Sequence, residues 1–333
     1  MTKKIILGIE TTCDETSVAV VENGEKILSN IIASQVKIHQ KYGGVVPEIA
    51  SREHMKNILI ICAEALKKAG ILLKNIDGIA IANGPGLKGS LLVGLSFAKA
   101  VSFALDKPLI GVNHIEGHIY ANFLVHKNIE FPFISLIVSG GHTSLILVNE
   151  IGHLKILGTT RDDAAGEVFD KIAKYLNLGY PGGPIIEKLA LKGGKNAIIF
   201  PRPLTKTPNL DFSFSGLKTA VIYFVNEKKK MQGELKVEDI CASFQQAVIE
   251  TLIHKTLIAT EKHRINAIVV GGGVAANESL RREMLKAGKT YNKKIYFPSK
   301  ELCTDNAAMI AVVGYYKLMK GFSDSFYLDV YTG

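Results

Sequence analysis

Residues Ile76–Ser90, IDGIAIANGPGLKGS, and Ile265–Ser279, INAIVVGGGVAANES, are two copies of one pattern. Each is a short apolar run, then a glycine-rich turn, then a helix start. Apolar runs of this length, closed by glycine, read as strands buried on both faces. In both copies a short strand and a helix follow. These are Pro108–Val112 with His114–Val125, and Lys294–Pro298 with Asp305–Met319. Upstream, each copy is preceded by three strands in an antiparallel meander. The first meander is Ile5–Ile9, Ser17–Glu22 and Glu25–Ile32, with Asn23-Gly24 as its hairpin signal. The second is Phe133–Val138, Thr143–Val148 and His153–Thr159. Such an internal repeat, βββαβαβα twice, is more specific than any single motif.

The plan resembles the duplicated α/β fold of the actin, Hsp70 and sugar-kinase ATPases (ASKHA), in which two halves face each other across a nucleotide and metal cleft. The first half is expected over residues 1–130, completed by a C-terminal helix over 305–325, and the second over 131–304. Two regions have no counterpart in the other copy. One, about 34–56, contains Tyr42-Gly-Gly-Val-Val-Pro47; the other, about 161–250, is helical and carries YPGGP at Tyr180–Pro184. Insertions on a repeated scaffold usually carry specificity.

Composition sets outer limits. A chain of 333 residues, 47% hydrophobic and 21% charged, is globular and long enough for two domains. No apolar run reaches the ~20 residues of a membrane span. The first apolar run ends at Glu10 and reads as a strand rather than a signal peptide. Four scattered cysteines without a CxxC point to a reducing, cytoplasmic setting and to neither a disulfide framework nor a cysteine zinc site. The net charge of +9 permits a polyanionic partner. Basic residues gather at Lys192–Lys195, Arg202–Lys206, Lys228–Lys230, Arg281–Arg282 and Lys286–Lys294.

Ligands of α/β sheets bind at strand-end loops, and four such loops stand out. Glu10–Glu15, ETTCDE, offers the Thr11 and Thr12 hydroxyls to phosphate and the Asp14 and Glu15 carboxylates to a proton or a metal-held water. Ser139–Thr143, SGGHT, lets backbone N–H groups approach a phosphate. Gly271, Gly272 and Gly273, with Asn277, aim N–H groups from a helix start. Gly84–Gly89, GPGLKG, is the fourth.

Metal chemistry is read from the segment NHIEGH, Asn113–His118. Asn113 is placed as a helix N-cap. His114 and His118, four apart, then share one helix face with Cβ atoms ~5–6 Å apart. The repeat puts Asp305 at the matching helix start of the second copy. Two imidazoles and one carboxylate with open positions suit ferrous iron or zinc. A zincin needs H-E-x-x-H. Glu116 lies two residues beyond His114, about 200° around the helix, which rejects a protease.

The motifs together resemble the tRNA threonylcarbamoyladenosine transferases of the TsaD/Gcp family, bacterial type. The matching stretches are IETTCDETSVAVV, KYGGVVPEIASREH, GPGLKGSLLVG, NHIEGHIYAN, VSGGHTSL, GEVFDKIAKYLNLGYPGGP, DFSFSGLKTAV, GGGVAANESLR and FPSKELCTDNAAMIA. The family pattern has Ser at Thr12, which keeps the hydroxyl. The resemblance implies transfer of threonylcarbamoyl from threonylcarbamoyl-AMP to the exocyclic amine of the adenosine beside the anticodon, in tRNAs reading ANN codons. It implies His114, His118 and Asp305 as ligands of one divalent metal, with Fe(II) ahead of Zn. It implies Ile137, Val138, Ser139, Gly140, Gly141, Asp170, Gly183, Glu187 and Asn277 as adenylate contacts. Asp14 or Glu15 is the candidate proton acceptor. Implied partners are tRNA, a TsaB-type paralogue and a TsaE-type ATPase, with no membrane. The alternative on the same scaffold is an ATP-dependent kinase of the sugar or acetate type, which would not need a His-His-Asp site because Mg(II) prefers oxygen ligands.

Overall fold

The computed structural model describes residues 3–205, 207–232 and 236–332. Lys206 of the basic run Arg202–Lys206, and Met1 and Thr2 ahead of the first strand, lie outside the described residues. The chain opens with β1 (Ile5–Glu10), β2 (Glu15–Glu22) and β3 (Lys26–Ser34), then α1 (Val36–His39) and α2 (Pro47–Ala69). Next come β4 (Gly78–Gly84), α3 (Lys88–Leu105), β5 (Leu109–Asn113) and α4 (His114–Tyr120). The second copy brings β6 (Phe133–Val138), β7 (Thr143–Glu150) and β8 (His153–Thr159). Four helices follow, α5 (Ala165–Tyr175), α6 (Gly182–Ala190), α7 (Ser215–Lys230) and α8 (Val237–His263). Then come β9 (Ala267–Gly271), α9 (Glu278–Thr290), β10 (Lys294–Tyr296) and α10 (Ala307–Met319).

These elements form two compact units, Met1–Asn128 with Pro298–Gly333, and Ile129–Phe297. Each holds a five-stranded mixed sheet, ordered β3-β2-β1-β4-β5 in the first and β10-β9-β6-β7-β8 in the second. Counted from the start of each meander both orders are 3-2-1-4-5, so the repeat read in the sequence is a repeat of topology. β1 pairs antiparallel with β2 and parallel with β4, and β6 does the same with β7 and β9.

Strand alternation sorts the first sheet's two faces. Ile5, Leu7 and Ile9 join Val18, Val20, Ile58, Ile61, Leu95 and Ala98 in one core beneath α2 and α3. α3 is long and apolar enough by length and composition to cross a membrane, but its Leu95, Ala98 and Val101 are spent in that core. The other face of β1 meets α10. A Cβ on Gly8 would strike Ala307 and Ala311, so only glycine lets this helix lie so close. Glu10, two residues on, belongs to that same face.

Two helices differ from their expected lengths. α4 stops at Tyr120 and continues as a 3-10 turn over Ala121–Leu124. α10 begins at Ala307, capped by Asn306, whose side chain accepts from Met309 N. Asp305 therefore stands just outside the helix, on the approach to its cap. The region about 161–250 contains α5, α6, α7 and the first half of α8, with a non-helical stretch between α6 and α7.

Candidate functional site

β5 ends at Asn113, whose side-chain oxygen accepts from Ile115 N at 2.8 Å and Glu116 N at 3.1 Å. That cap starts α4 at His114 and sets His118 one turn along. The two rings stand edge to face with centroids 4.7 Å apart. Asp305 Oδ1 lies 3.5 Å from His114 Nε2 and 3.2 Å from His118 Nε2. One ligand atom from each of the three residues falls within 4.8 Å of the others. His118 is fully buried, yet neither of its ring nitrogens has a hydrogen-bond partner, since the approach to Asp305 lacks hydrogen-bond geometry. Leaving a buried imidazole unsatisfied costs free energy unless something else takes its lone pair. An electron-pair acceptor at this point answers that cost, so the residues fit a divalent metal by both geometry and donor type.

Glu10 completes the arrangement. It is fully buried. One carboxylate oxygen accepts from Thr12 N at 2.6 Å, and the other lies 3.0 Å from His114 Nδ1. A carboxylate accepts, so Nδ1 carries the hydrogen and Nε2 faces Asp305. This is the carboxylate–imidazole arrangement that fixes a ligating histidine's tautomer. Burial alone would lower the His114 imidazole, but Glu10, and then Asp305, push it up to about 9. The Thr12 hydroxyl sits 3.3 Å from the same Nδ1.

The rest of the ETTCDE loop is tied down from below. Thr11 is buried and its hydroxyl donates to Ser90 O at 3.0 Å, so it pins the loop to α3. His54 of α2 donates from Nε2 to Cys13 O at 3.0 Å, and its Nδ1 lies 2.8 Å from Thr16 Oγ1. Gln35 N donates to Asp14 O at 2.9 Å. The insertion around 34–56 thus grips the loop that carries Asp14 and Glu15. Burial, and then the charges of Asp14 and Asp305, raise the Glu15 carboxyl well above the usual range, with Ser34 Oγ donating at 3.0 Å in partial offset. Burial and the neighbouring carboxylates push the Cys13 thiol up as well, which disfavours its thiolate.

The second unit holds the remaining residues. Ile137 and Val138 are buried strand residues, so only their backbone reaches the turn. Ser139 closes that turn by donating its N–H to His142 O at 2.8 Å and accepting from His142 N at its hydroxyl oxygen at 3.1 Å. A Cβ on Gly140, Gly141, Gly183 or Gly273 would meet nothing within 4 Å. Their backbone faces open space where a ligand can approach. Gly272 differs. Its φ is +91°, and a Cβ there would collide with the Val138 backbone. Gly272 therefore serves close packing, and its place among the ligand-facing glycines falls to Gly273. Three polar residues hold helix starts. Asp170 accepts from Gly182 N at 2.7 Å, Glu187 from Glu278 N at 2.6 Å, and Asn277 from Leu280 N at 2.9 Å. Asn277 also donates to Gln245 at 2.8 Å. Gly271 ends β9 beside Ile137.

The first unit thus gathers Glu10, Thr12, Asp14, Glu15, His114, His118 and Asp305. The second gathers the turns Ser139–Thr143 and Gly271–Gly273 with Asp170, Glu187 and Asn277; the turn Gly84–Gly89 lies in the first, with Gly86 against Thr12. Sequence reasoning singled out neither Glu10 nor His54. A charged residue ending an apolar strand, in phase with Gly8, was the available signal for Glu10; His54 carried none.

Residues 26–312 match the family profile TsaD, tRNA N6-adenosine threonylcarbamoyltransferase. The protein named tRNA N6-adenosine threonylcarbamoyltransferase from Clostridium perfringens (strain SM101 / Type A) is 53% identical over 321 residues, 96% of this chain and 95% of that one. Among solved structures, HypF from T. kodakarensis is similar over 96% of this chain and 48% of its own, with a TM-score of 0.64 and 16% identity. ROK hexokinase from Thermus thermophilus is similar over 96% of this chain and 100% of its own, with a TM-score of 0.50 and 13% identity. At those identities the two structures speak to the duplicated actin and sugar-kinase fold alone.

Proposed function

We infer how the residues above divide the work from one premise: the chain belongs to the TsaD family, the tRNA N6-adenosine threonylcarbamoyltransferases. Its activity is transfer of a threonylcarbamoyl group to the exocyclic amine of a tRNA adenosine. The observation that carries the metal reading is His118, a buried imidazole with no hydrogen-bond partner, 3.2 Å from a carboxylate.

The donor in this reading is threonylcarbamoyl-AMP, made by a separate enzyme. The adenosine N6 lone pair attacks the carbamoyl carbon. The bond from that carbon to the phosphate oxygen breaks, and AMP leaves with the electron pair. The nitrogen's proton passes to a carboxylate. No covalent intermediate on the enzyme is required, because the acyl phosphate is already activated. The N6 lone pair is delocalised into the ring, so close positioning supplies much of the rate.

His114, His118 and Asp305 hold one divalent metal. Two imidazoles and a carboxylate with open positions suit Fe(II) or Zn, and the family resemblance puts Fe(II) first. When bound, the ion supplies Lewis acidity toward the donor's oxygens. Glu10 orients His114 for that task. Backbone N–H groups of Ser139–Gly141 and Gly273 meet the donor phosphate, where fixed donors stabilise developing charge. Asp170, Gly183, Glu187 and Asn277 contact the nucleoside. Glu15, whose carboxyl is raised, or Asp14 takes the amine proton. A carboxyl raised above the usual carboxylate range is, once ionised, a stronger base than an ordinary one. Thr11 is left out of the phosphate set, since its hydroxyl is spent on Ser90.

The basic runs all fall in the second unit and suit the tRNA backbone, as does Lys228 beside Phe224. A TsaB-type paralogue and a TsaE-type ATPase complete the cytoplasmic machinery. A sugar- or acetate-type kinase shares this fold and has no other observation in its favour.

The test is transfer from preformed threonylcarbamoyl-AMP to unmodified tRNA with purified partners. His118→Ala should hold well below one metal per chain and lose transfer. Full metal occupancy in that variant would put the metal elsewhere. Asp305→Ala transferring at the wild-type rate would overturn metal assistance.

A further inference from the structure

We propose that the segment Asp324–Tyr331 is a strap that positions α4 and so tunes the affinity of the metal centre; this rests on the metal reading above. β5 is the edge strand of its sheet, and its outward N–H and C=O groups need partners. Asp324 N donates to Leu109 O at 2.7 Å, and Gly111 N donates to Asp324 Oδ2 at 2.8 Å. Lys317 Nζ donates to Gly111 O at 3.0 Å. Phe326 stacks edge to face on Phe103 of α3, with centroids 5.9 Å apart. Leu328 lies on Gly111, where an added Cβ would come within 3.0 Å of it.

The strap then crosses the end of β4. Asn83 Nδ2 donates to Asp329 O at 3.1 Å, and Asn83 O accepts from Tyr331 N at 3.1 Å. A Cβ on Gly84, at φ +151°, would strike Tyr331, so the strap lies against bare backbone there. It reaches the site at Asn113. Asn113 Nδ2 donates to the Tyr331 hydroxyl at 2.7 Å.

That contact matters because Asn113 has two jobs with two ends. Its oxygen caps α4, and only its NH₂ remains to be fixed. Tyr331 takes the NH₂ and so holds the amide in the capping orientation. His114 is the next residue. α4 has only 7 residues, so a shift of its first turn moves both imidazoles. Asp305 precedes the Asn306 cap of α10, a helix that packs on the far end of α4 at Gly117 and leaves the first turn to Asn113. Without the strap, the histidine pair drifts relative to the carboxylate. Tyr331 is thus a positioning residue, acting through Asn113.

The experiment is Co²⁺ titration of the metal-free full chain, read by visible absorption alongside a melting curve. Tyr331→Phe should weaken Co²⁺ binding by about 2- to 10-fold, the range one hydrogen bond supplies, and should change the band intensity. A chain ending at Ser323 should lose more. Tyr331→Phe with wild-type affinity and spectrum overturns the inference whatever its melting temperature, since that strap would be packing alone. His118→Ala is the control. If it binds Co²⁺ as the wild type does, the metal reading has failed, and the strap with it.

Discussion

Glu10→Gln tests the centre most directly. The substitution conserves shape and leaves a buried side chain between two donors, Thr12 N at 2.6 Å and His114 Nδ1 at 3.0 Å. A carboxylate satisfies both; an amide has one oxygen and satisfies one. If the oxygen keeps Thr12, the NH₂ faces Nδ1, which must become an acceptor. His114 then carries its hydrogen on Nε2, the atom meant for the metal. If the amide flips, two donors meet at Thr12. Either arrangement costs about 1–3 kcal/mol, the cost of a buried donor left unmet. That equals roughly 5- to 150-fold in binding and brackets the ~10–100-fold seen when such outer partners are removed. A second effect opposes this one. In the metal-free protein Glu10 helps hold a proton on His114 up to about 9, and that proton competes with metal at neutral pH. Removing the carboxylate relieves the competition. At pH 7 the relief is worth up to ~2 decades, enough to mask the loss. The informative assay therefore compares Zn²⁺ affinity by chelator competition at pH 7 and ~9.5, where the ring is neutral in both proteins. The deficit of Glu10→Gln should be small at pH 7 and full at the higher pH. Affinity within about 2-fold of wild type at both values would refute the assignment, because a hundredfold range cannot hide at both.

The remaining predictions concern the glycine turns and pH. Gly272→Val should destabilise the protein by more than ~2 kcal/mol, through strain at φ +91° and the clash with Val138. Gly273→Val should leave the melting temperature nearly unchanged while weakening adenylate binding by calorimetry; unchanged affinity there would remove this turn from the site. In chelator, His114 should make stability fall with rising pH. Its folded value of about 9 lies above the ordinary histidine value. The contribution is therefore complete below pH ~6.5 and is lost as pH rises through the folded value, on the order of 3 kcal/mol in all. The wild-type minus Glu10→Gln difference in urea denaturation isolates it, and a difference that grows with pH would contradict the assignment.

How much of this was legible follows from how local each signal is. The two meanders and their strand order were readable because alternation and Asn-Gly turns act over a few residues. Asn23 and Gly24 do take left-handed φ values of 54° and 68°. The Asn113 cap and the i, i+4 histidines are equally local. Asp305, nearly two hundred residues from His118, was reachable only through the repeat. The glycines were harder, since one letter serves two purposes. At Gly8 and Gly272 it admits a neighbouring backbone or helix, and at Gly140, Gly141, Gly183 and Gly273 it bares backbone to open space. Only coordinates separate these. Asp170 and Glu187 were read as substrate contacts, and their hydrogen bonds to the distant helix starts at Gly182 and Glu278 have no sequence signature, whereas the Asn277 cap on Leu280 N is as local as that of Asn113.

Glu10 shows a limit of reading by symmetry. β1, IILGIE, and β6, FISLIV, are both six residues long and hold equivalent places in their sheets. Matching the copies finds what they share, which is scaffold. At the last position they differ, Glu10 against Val138. Both side chains are fully buried. A buried valine is ordinary core, whereas a buried carboxylate is costly unless its oxygens are taken up. The half that pays that cost is the half with His114 at the end of β5, and the imidazole is what takes up the charge. In a duplicated fold, the position where one copy buries a charge and the other a hydrocarbon is therefore the place to look for chemistry. The sequence alone sets Glu10 opposite Val138 once the copies are matched, and the burial of both makes the difference count.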